Sequence, residues 1–346
     1  MEVVILRNDR SALAQKYGEF SEGRTENYKD IDDIKNALMR MGIPYKEVVV
    51  KEDLSNLKEI KKINPDVVIN VCDDFLEPKK EALVPKKLET LGVAYTGDAY
   101  QPLMMCAQKA LSKKKLIEAG VLTPKYQLVS SPEGKIKDLK YPLIVKPNNE
   151  HGSVGIESDS VVHTEEQLQK KLNEMLAKYG KMLVEEYIDG REISTVVIGD
   201  KVMRVSEIVF DGQDFAGKPT IMTYDSKWKE NSPDYVGTVR KPADLPKKLE
   251  EKIKETSKKA YDALGCKGYA RVDLRVTPEG EPYVIEVNVN PDLSRDGAFA
   301  KIMKDSRVSY LKLIKMIIEN AQGAETENKE QRQEENQIEE KKAVNF

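Results

Sequence analysis

Two short runs toward the C-terminal end of the chain carry the residues best suited to chemistry. Tyr269-Ala-Arg-Val-Asp-Leu-Arg presents Arg271, Asp273 and Arg275, and Tyr283-Val-Ile-Glu-Val-Asn-Val-Asn-Pro presents Glu286, Asn288 and Asn290. Polar and apolar residues alternate in both, which is the period of a strand, so the polar members of each run share a face. Thr277-Pro-Glu-Gly-Glu-Pro between the runs predicts an antiparallel hairpin. Carboxylates, amides and a guanidinium on paired strands offer hard oxygen donors to a divalent cation and a donor fork to phosphate. A solvated hairpin face is the competing reading. It stays open beside the cation reading, although the polar positions are short acids and amides followed at once by Asn290-Pro291-Asp292.

Two further stretches could act with the hairpin. Leu143-Ile-Val-Lys-Pro delivers Lys146 from a strand, and Asn148-Asn-Glu-His-Gly-Ser-Val-Gly follows as a small-residue turn. Gly152, Ser153 and Gly155 let backbone N–H groups approach an anion, and Ser153 adds a hydroxyl. The order of residues is neither that of a P-loop nor that of a dinucleotide fingerprint. His151 reads as a solvent-facing loop residue. In Leu183-Val-Glu-Glu-Tyr-Ile-Asp-Gly-Arg-Glu the chain bends at Asp189-Gly190 between strands. Such a bend exposes backbone groups to a purine edge, and Glu192 can accept from ribose hydroxyls. Taken alone, the segment reads as a hairpin.

The remaining sequence must supply elements that hold these residues. At 346 residues and 40% hydrophobic content the chain can bury a sizeable core and is long enough for two or three domains. Its 56 basic and 59 acidic residues nearly balance, which gives no global argument for nucleic acid. Cys72, Cys106 and Cys266 lack metal-ligand spacing and suit buried thiols in a reducing compartment. No signal peptide or membrane-length apolar run is evident, so a cytoplasmic protein without membrane contact is expected. Strand and helix signals alternate through the first hundred or so residues: strands at Val3-Val-Ile-Leu, Lys46-Glu-Val-Val-Val and Asp66-Val-Val-Ile-Asn-Val, helices over 28–41 and 83–91. That is an open α/β unit with a parallel sheet. Further helices are predicted over 107–119, 165–178, 246–264 and 308–319. Beyond Gln322 the chain is almost devoid of apolar residues and is expected to be a disordered tail.

In that order and spacing, the pieces resemble the ATP-grasp superfamily and, within it, the D-alanine–D-alanine ligase branch. The resemblance rests on Lys109, Ile144-Val-Lys-Pro with Gly152-Ser-Val-Gly, Val184-Glu-Glu-Tyr-Ile with Gly190-Arg-Glu, Tyr224-Asp-Ser-Lys227, and Ala270-Arg-Val-Asp with Ile285-Glu-Val-Asn-Val-Asn-Pro. It implies an α/β (α+β) ATP-grasp fold of three α/β domains with the nucleotide between the central and C-terminal ones. The expected division is 1–105, 106–195 and 196–322, with the tail at 323–346.

Carried over position by position, the resemblance assigns Lys109, Lys146 and the Gly152–Gly155 turn to the ATP phosphates. Glu185, Tyr187 and Ile188 take the adenine edge and Glu192 the ribose. Lys227 acts from a closing loop. Asp273, Glu286 and Asn288 hold two Mg²⁺ ions, with Mn²⁺ as the alternative, and Asn290 falls at the edge of the site. Arg271, Lys227 and Ser153 are the implied catalytic residues. The implied partners are a small-molecule carboxylate and an amine, joined through an acyl phosphate, and the relatives' habit allows a homodimer.

The substrate half departs from the branch. D-alanine–D-alanine ligases carry a Gly-Gly-x-Ser-x-Glu loop after the first strand, where this chain has Leu6-Arg-Asn-Asp-Arg-Ser. Their His-Gly stretch is replaced by Asn70-Val-Cys-Asp-Asp-Phe, and their Pro-Gly-Met-Thr by Pro291-Asp-Leu-Ser-Arg-Asp-Gly-Ala. A strict D-alanine–D-alanine ligase is therefore not expected. Arg7, Arg10, Asp73 and Arg295 are the candidates for gripping a different substrate. A small-molecule kinase on the same nucleotide site and a non-catalytic ATP-binding protein stand as the alternatives.

Overall fold

The computed structural model describes residues 1–9, 28–73 and 79–324. The expected tail beyond residue 324 and the candidate Arg10 lie outside the described residues. Val-Val-Ile-Leu opens β1 (Val3–Asn8), apolar and buried on both faces as a central parallel strand requires. Helix α1 (Lys29–Arg40) follows, burying Ile31, Ile34 and Leu38 at helical spacing. Then come β2 (Tyr45–Val50), α2 (Glu59–Ile63), β3 (Val67–Asn70) and α3 (Lys79–Leu91). The strands form a parallel three-stranded sheet ordered β2-β1-β3, as the alternating signals predict.

Helices α4 (Tyr100–Cys106) and α5 (Lys109–Glu118) lead into β4 (Tyr126–Val129), β5 (Leu143–Pro147), β6 (Val161–Val162), α6 (Glu165–Tyr179) and β7 (Met182–Glu186). Helix α6 starts at Thr164, whose hydroxyl accepts from the Gln167 N–H, and has Glu165 and Glu166 in its first turn. It stops at Gly180 with φ +71°, and Leu168, Leu172 and Met175 bury against a four-stranded antiparallel sheet ordered β4-β7-β5-β6.

The chain next forms β8 (Arg191–Ile198), β9 (Lys201–Val202), β10 (Ser206–Phe210), the short helices α7 (Tyr224–Trp228) and α8 (Pro233–Val236), β11 (Thr238–Pro242), α9 (Lys247–Ala263), β12 (Tyr269–Val276) and β13 (Pro282–Asn288). These strands make a six-stranded sheet ordered β11-β10-β8-β12-β13, with β9 pairing β8. The predicted hairpin is β12–β13, antiparallel, with Asp273 opposite Glu286 and Arg271 opposite Asn288. The expected β7–β8 hairpin is not formed: β7 pairs β5 and β4, β8 pairs β12 and β10, and the Asp189-Gly190 bend carries the chain from one sheet to the other. The expected division at residue 195 falls within β8. Helix α10 (Ala298–Asp305) and a last helix over residues 310–324, α11, pack with α1 on the first sheet and β8, joining the two ends of the chain in one core.

Asp98 fastens the first sheet's exit to β12. Its Oδ1 accepts from the backbone N–H groups of Lys267 at 2.6 Å and Gly268 at 2.9 Å, while Oδ2 is buried with no hydrogen-bond partner among the described residues. Burial pushes its pKa from 3.8 up to about 6, against the pull of those donors. Because the folded state holds this proton more tightly than the unfolded chain, the contribution is fully present below pH 3.8 and is lost as pH rises through about 6. We expect wild type to lose about 3 kcal/mol relative to Asp98→Asn between pH 4 and pH 7. Parallel denaturant titrations of the two proteins would test this, and a pH-independent difference would refute it.

Candidate active site

The four- and six-stranded sheets face each other across a cleft of about 740 Å³, open mouth included. Its walls bring together ten residues singled out from the sequence: Lys109, Lys146, Ser153, Glu185, Tyr187, Ile188, Glu192, Lys227, Asp273 and Glu286. Strand alternation explains the six-stranded side. Asp273 is opposite both Ser194 and Glu286, and Arg275 is opposite Glu192, so these side chains share one face of the sheet.

On the other wall, Lys109 opens α5 and its ammonium donates to the Glu150 carbonyl. Burial, with repulsion from Lys146, lowers its pKa against the attraction of Glu286. Lys146, on β5, is ion-paired with Glu185. Glu185 is 2% exposed and also meets the Lys113 ammonium, itself 1% exposed, at 2.9 Å. Burial works to raise the Glu185 pKa, yet Lys113 and Lys146 hold it below the usual carboxylate value. Burial in turn lowers the Lys113 ammonium to about 8. The Glu185 carboxylate is thus ion-paired with two lysines while lining the cleft, and these pairs hold Lys146 in position. Lys113 was not singled out from sequence; its place four residues after Lys109, on the same helical face, was the available signal.

The glycine turn is clasped to α7. Ser153 donates to the Met222 carbonyl at 2.7 Å, the Tyr224 N–H to the Ile156 carbonyl at 2.9 Å, and the Trp228 indole to the Gly152 carbonyl at 2.9 Å. Gly152, Ser153 and Gly155 all have φ between +62° and +71°. The Ser153 hydroxyl therefore braces the turn instead of being committed to an anion. Lys227 sits on this one-turn helix and not in the loop expected for it, with Thr223 capping the Ser226 N–H. Burial, then Arg271, lowers its pKa while Glu286 and Asp273 oppose.

On β12, Arg271 grips Asp273 through a fork, Nε to Oδ1 at 2.8 Å and Nη2 to Oδ2 at 2.8 Å, and Ser194 donates to Oδ1 at 2.8 Å. Burial disfavours the guanidinium, but Asp273, Glu286 and Glu192 raise its pKa overall. Burial likewise disfavours the Glu286 carboxylate, and Lys109, His151 and Lys227 outweigh it and hold its pKa well below the usual value. His151 lies with Nδ1 3.4 Å from Glu286, so it faces the cleft's acid. Asn288 accepts from the Asn290 N–H, and Asn290 donates to the Cys72 carbonyl and to Glu81, tying the hairpin's end to the first sheet.

Arg275 was placed on this face by its spacing but given no role. Its guanidinium meets Glu192 at 2.9 Å, donates to the carbonyls of Gly190 and Thr220, and lies 5.5 Å from the Tyr187 ring centroid. It therefore ties the crossing segment to β8. Gly190 has φ +140°, and a Cβ there would stand 2.1 Å from the Val276 carbonyl oxygen. Gly190→Ala should destabilise the protein by about 3 kcal/mol, since backbone must shift on both sides. Thermal unfolding and ATP affinity should fall together, and an unchanged Tm would contradict the assignment.

Of the described substrate candidates, Arg7, Asp73 and Arg295, none lines the cleft. Arg7 donates to Glu47 at 2.6 Å and stacks 4.5 Å from the Tyr28 ring centroid. The Asp73 backbone is held by the Asn8 amide, and Arg295 meets Asp33 at 3.4 Å and covers the Tyr310 ring.

Among the described residues no group of three or more His, Cys, Asp or Glu side chains is placed to hold a metal. Asp273 and Glu286 supply oxygen donors at directly opposed positions of two strands, and Asn288, opposite Arg271, lies two residues past Glu286. That set fits Mg²⁺, which binds through one or two carboxylates and completes its shell with waters and substrate phosphates.

The family model described as the D-ala D-ala ligase C-terminus matches residues 118–319. An uncharacterized protein of Sinorhizobium fredii is 32% identical over 260 residues, 74% of this chain and 74% of that protein. D-alanine–D-alanine ligase B of Clostridium perfringens is 27% identical over 308 residues, 88% of this chain and 96% of that protein. D-alanine–D-alanine ligase A of Bacillus cereus is 30% identical over 246 residues, 70% of this chain and 76% of that protein. In fold, the crystal structure of the Bacillus anthracis D-alanine–D-alanine ligase complexed with ATP superposes with a TM-score of 0.72 at 23% identity, over 95% of this chain and 99% of that one. No helix among the described residues is long and apolar enough to cross a membrane.

Proposed function

The chain belongs to the D-alanine–D-alanine ligase family and is an ATP-dependent, ADP-forming carbon–nitrogen ligase of that type, and we propose that it joins a carboxylate other than D-alanine to an amine through an acyl phosphate. The observation that carries this reading is the cleft, where Lys109, Lys146 and Lys227 line the same walls as Asp273 and Glu286. Catalysis then consists of positioning and charge neutralisation.

In the proposed reaction the substrate carboxylate attacks the γ-phosphorus, the bond to the β-phosphate oxygen breaks, and ADP leaves. The amine then attacks the acyl carbon, and phosphate departs with formation of the amide. Lys109 and Lys146 hold the phosphates, and Glu185 with Lys113 keeps Lys146 in place. Tyr187 and Ile188 border the adenine, and Glu192, oriented by Arg275, takes the ribose. Lys227 and the Gly152–Gly155 turn close over the phosphates as one clasped unit. Arg271 faces the transferred group, and Asp273, Glu286 and Asn288 hold the divalent cations, two Mg²⁺ with Mn²⁺ as a substitute. Bound there, such ions would supply positive charge to offset that of the phosphate oxygens. Replacement of the branch's substrate residues at 6–11, 70–75 and 291–298 supports an acid other than D-alanine. We also place the protein in the cytoplasm, with a homodimer as the assembly to test.

Incubation with ATP, Mg²⁺, hydroxylamine and a panel of amino, hydroxy and simple carboxylic acids is the direct test. Hydroxamate formation with ADP release is expected for an acid other than D-alanine. ADP release with a phosphorylated alcohol and no hydroxamate would establish kinase chemistry instead.

A further inference from the structure

We propose that Arg240 is a specificity-determining residue that binds a second carboxylate on the acid substrate, making the preferred acid a dicarboxylate. The inference rests on the ligase reading above. Arg240 lies on β11 opposite Ile208, Ile208 is opposite Glu192, and Glu192 is opposite Arg275. Directly opposed residues share a face, so Arg240 ends the same row that carries Glu192 and Arg275 on the cleft wall. Strands about 4.8 Å apart put it roughly 10 Å from the Glu192 position, within reach of an extended arginine and a short-chain acid.

The Arg240 guanidinium is partly buried, and its one hydrogen bond among the described residues is a long contact to the Ser206 hydroxyl at 3.5 Å. Of the neighbouring carboxylates, Glu192 is engaged by Arg275 at 2.9 Å and Asp273 by Arg271 at 2.8 Å, while Asp305 reaches Arg240 only through the shared Ser206 hydroxyl, at 3.3 Å from it. Burial and the nearby Arg271 charge lower its pKa, so its surroundings disfavour an isolated cation. A guanidinium held this way destabilises the fold unless an anion completes it. The triphosphate already has Lys109 and Lys146 on the opposite wall. The acid must approach Arg271 and Asp273 to reach the γ-phosphate, and a group extending from it toward β11 meets Arg240. A planar five-donor fork matches a carboxylate in two-point contact.

The test compares acetate and D-alanine with succinate, glutarate and D-glutamate in the hydroxamate reaction of the full chain. Wild type should favour the dicarboxylates by about tenfold to a hundredfold in kcat/KM. Arg240→Met should erase that preference through KM for the diacid, and Arg240→Lys should keep part of it. Glutarate, but not acetate, should raise the Tm of wild type, and that shift should vanish in Arg240→Met, whose own Tm should be no lower than wild type. A structural arginine would instead lose Tm on substitution. Monocarboxylates equal to dicarboxylates in wild type, or an Arg240→Met effect falling on KM for ATP, would overturn the proposal while leaving the ligase reading intact. Absence of hydroxamate with every acid would remove the ligase reading, and this inference with it.

Discussion

Glu286→Gln is expected to lower ATP-dependent turnover by a factor on the order of 10³, equivalent to about 4 kcal/mol of transition-state stabilisation. Glu286 stands opposite Asp273 on the hairpin, and Lys109, His151 and Lys227 all interact with its charge. The amide keeps the shape and half of the oxygen donors but removes the charge that a hard cation needs. Because the substitution is isosteric on a strand, far-UV circular dichroism should be unchanged. The discriminating measurement is nucleotide affinity with and without metal. In EDTA, where no metal contributes, variant and wild type should agree closely. The increment that Mg²⁺ adds in wild type should be missing from the variant. Full turnover in Glu286→Gln, or a retained Mg²⁺ increment, would mean the metal assignment is wrong.

Glu185→Gln should be the most destabilising conservative change in the cleft, by about 3–5 kcal/mol. Both of its ammonium partners are buried, Lys113 at 1% and Lys146 at 5% side-chain exposure, so the substitution leaves two cations without a counter-charge in a poorly solvated site. The pH dependence follows from Lys113. Its pKa is lowered from 10.5 to about 8, so the unfolded chain binds its proton more tightly and wild type gains stability from this group as pH rises from about 8 to 10.5. Without Glu185 the Lys113 ammonium is disfavoured further, and the rise should begin at lower pH. Adding Lys113→Met to the variant should recover part of the loss, because one of the uncompensated charges is gone. Denaturant titration of wild type, both single variants and the double variant measures the coupling. Strictly additive effects would show that the Lys113–Glu185 contact contributes nothing.

Strand periods and turn residues made the hairpin face legible in advance: Arg271 and Asp273 on β12, Glu286 and Asn288 on β13, joined across Thr277–Pro282. Local rules likewise delivered the α1, α6 and α9 helices and the parallel first sheet, because apolar spacing, caps and glycine stops act within a few residues. The β7–β8 crossing was misread for the same reason. A bend at Asp189-Gly190 looks alike whether the chain folds back or moves on to another sheet, and only the strand pairings, β7 with β5 and β4 and β8 with β12 and β10, distinguish them.

The sequence by itself determined which side chains of the hairpin share a face, Arg271 and Asp273 on β12 with Glu286 and Asn288 on β13. Only the tertiary structure decided which charges are already answered. Glu185 lies between Lys113 and Lys146, Arg7 is taken by Glu47, Arg295 lies against Asp33, and Arg240 has no carboxylate partner among the described residues. These pairings join residues from 39 to 262 positions apart. Periodicity specifies the direction of a side chain from its own backbone, whereas the partner it meets depends on how separate sheets and helices pack against one another.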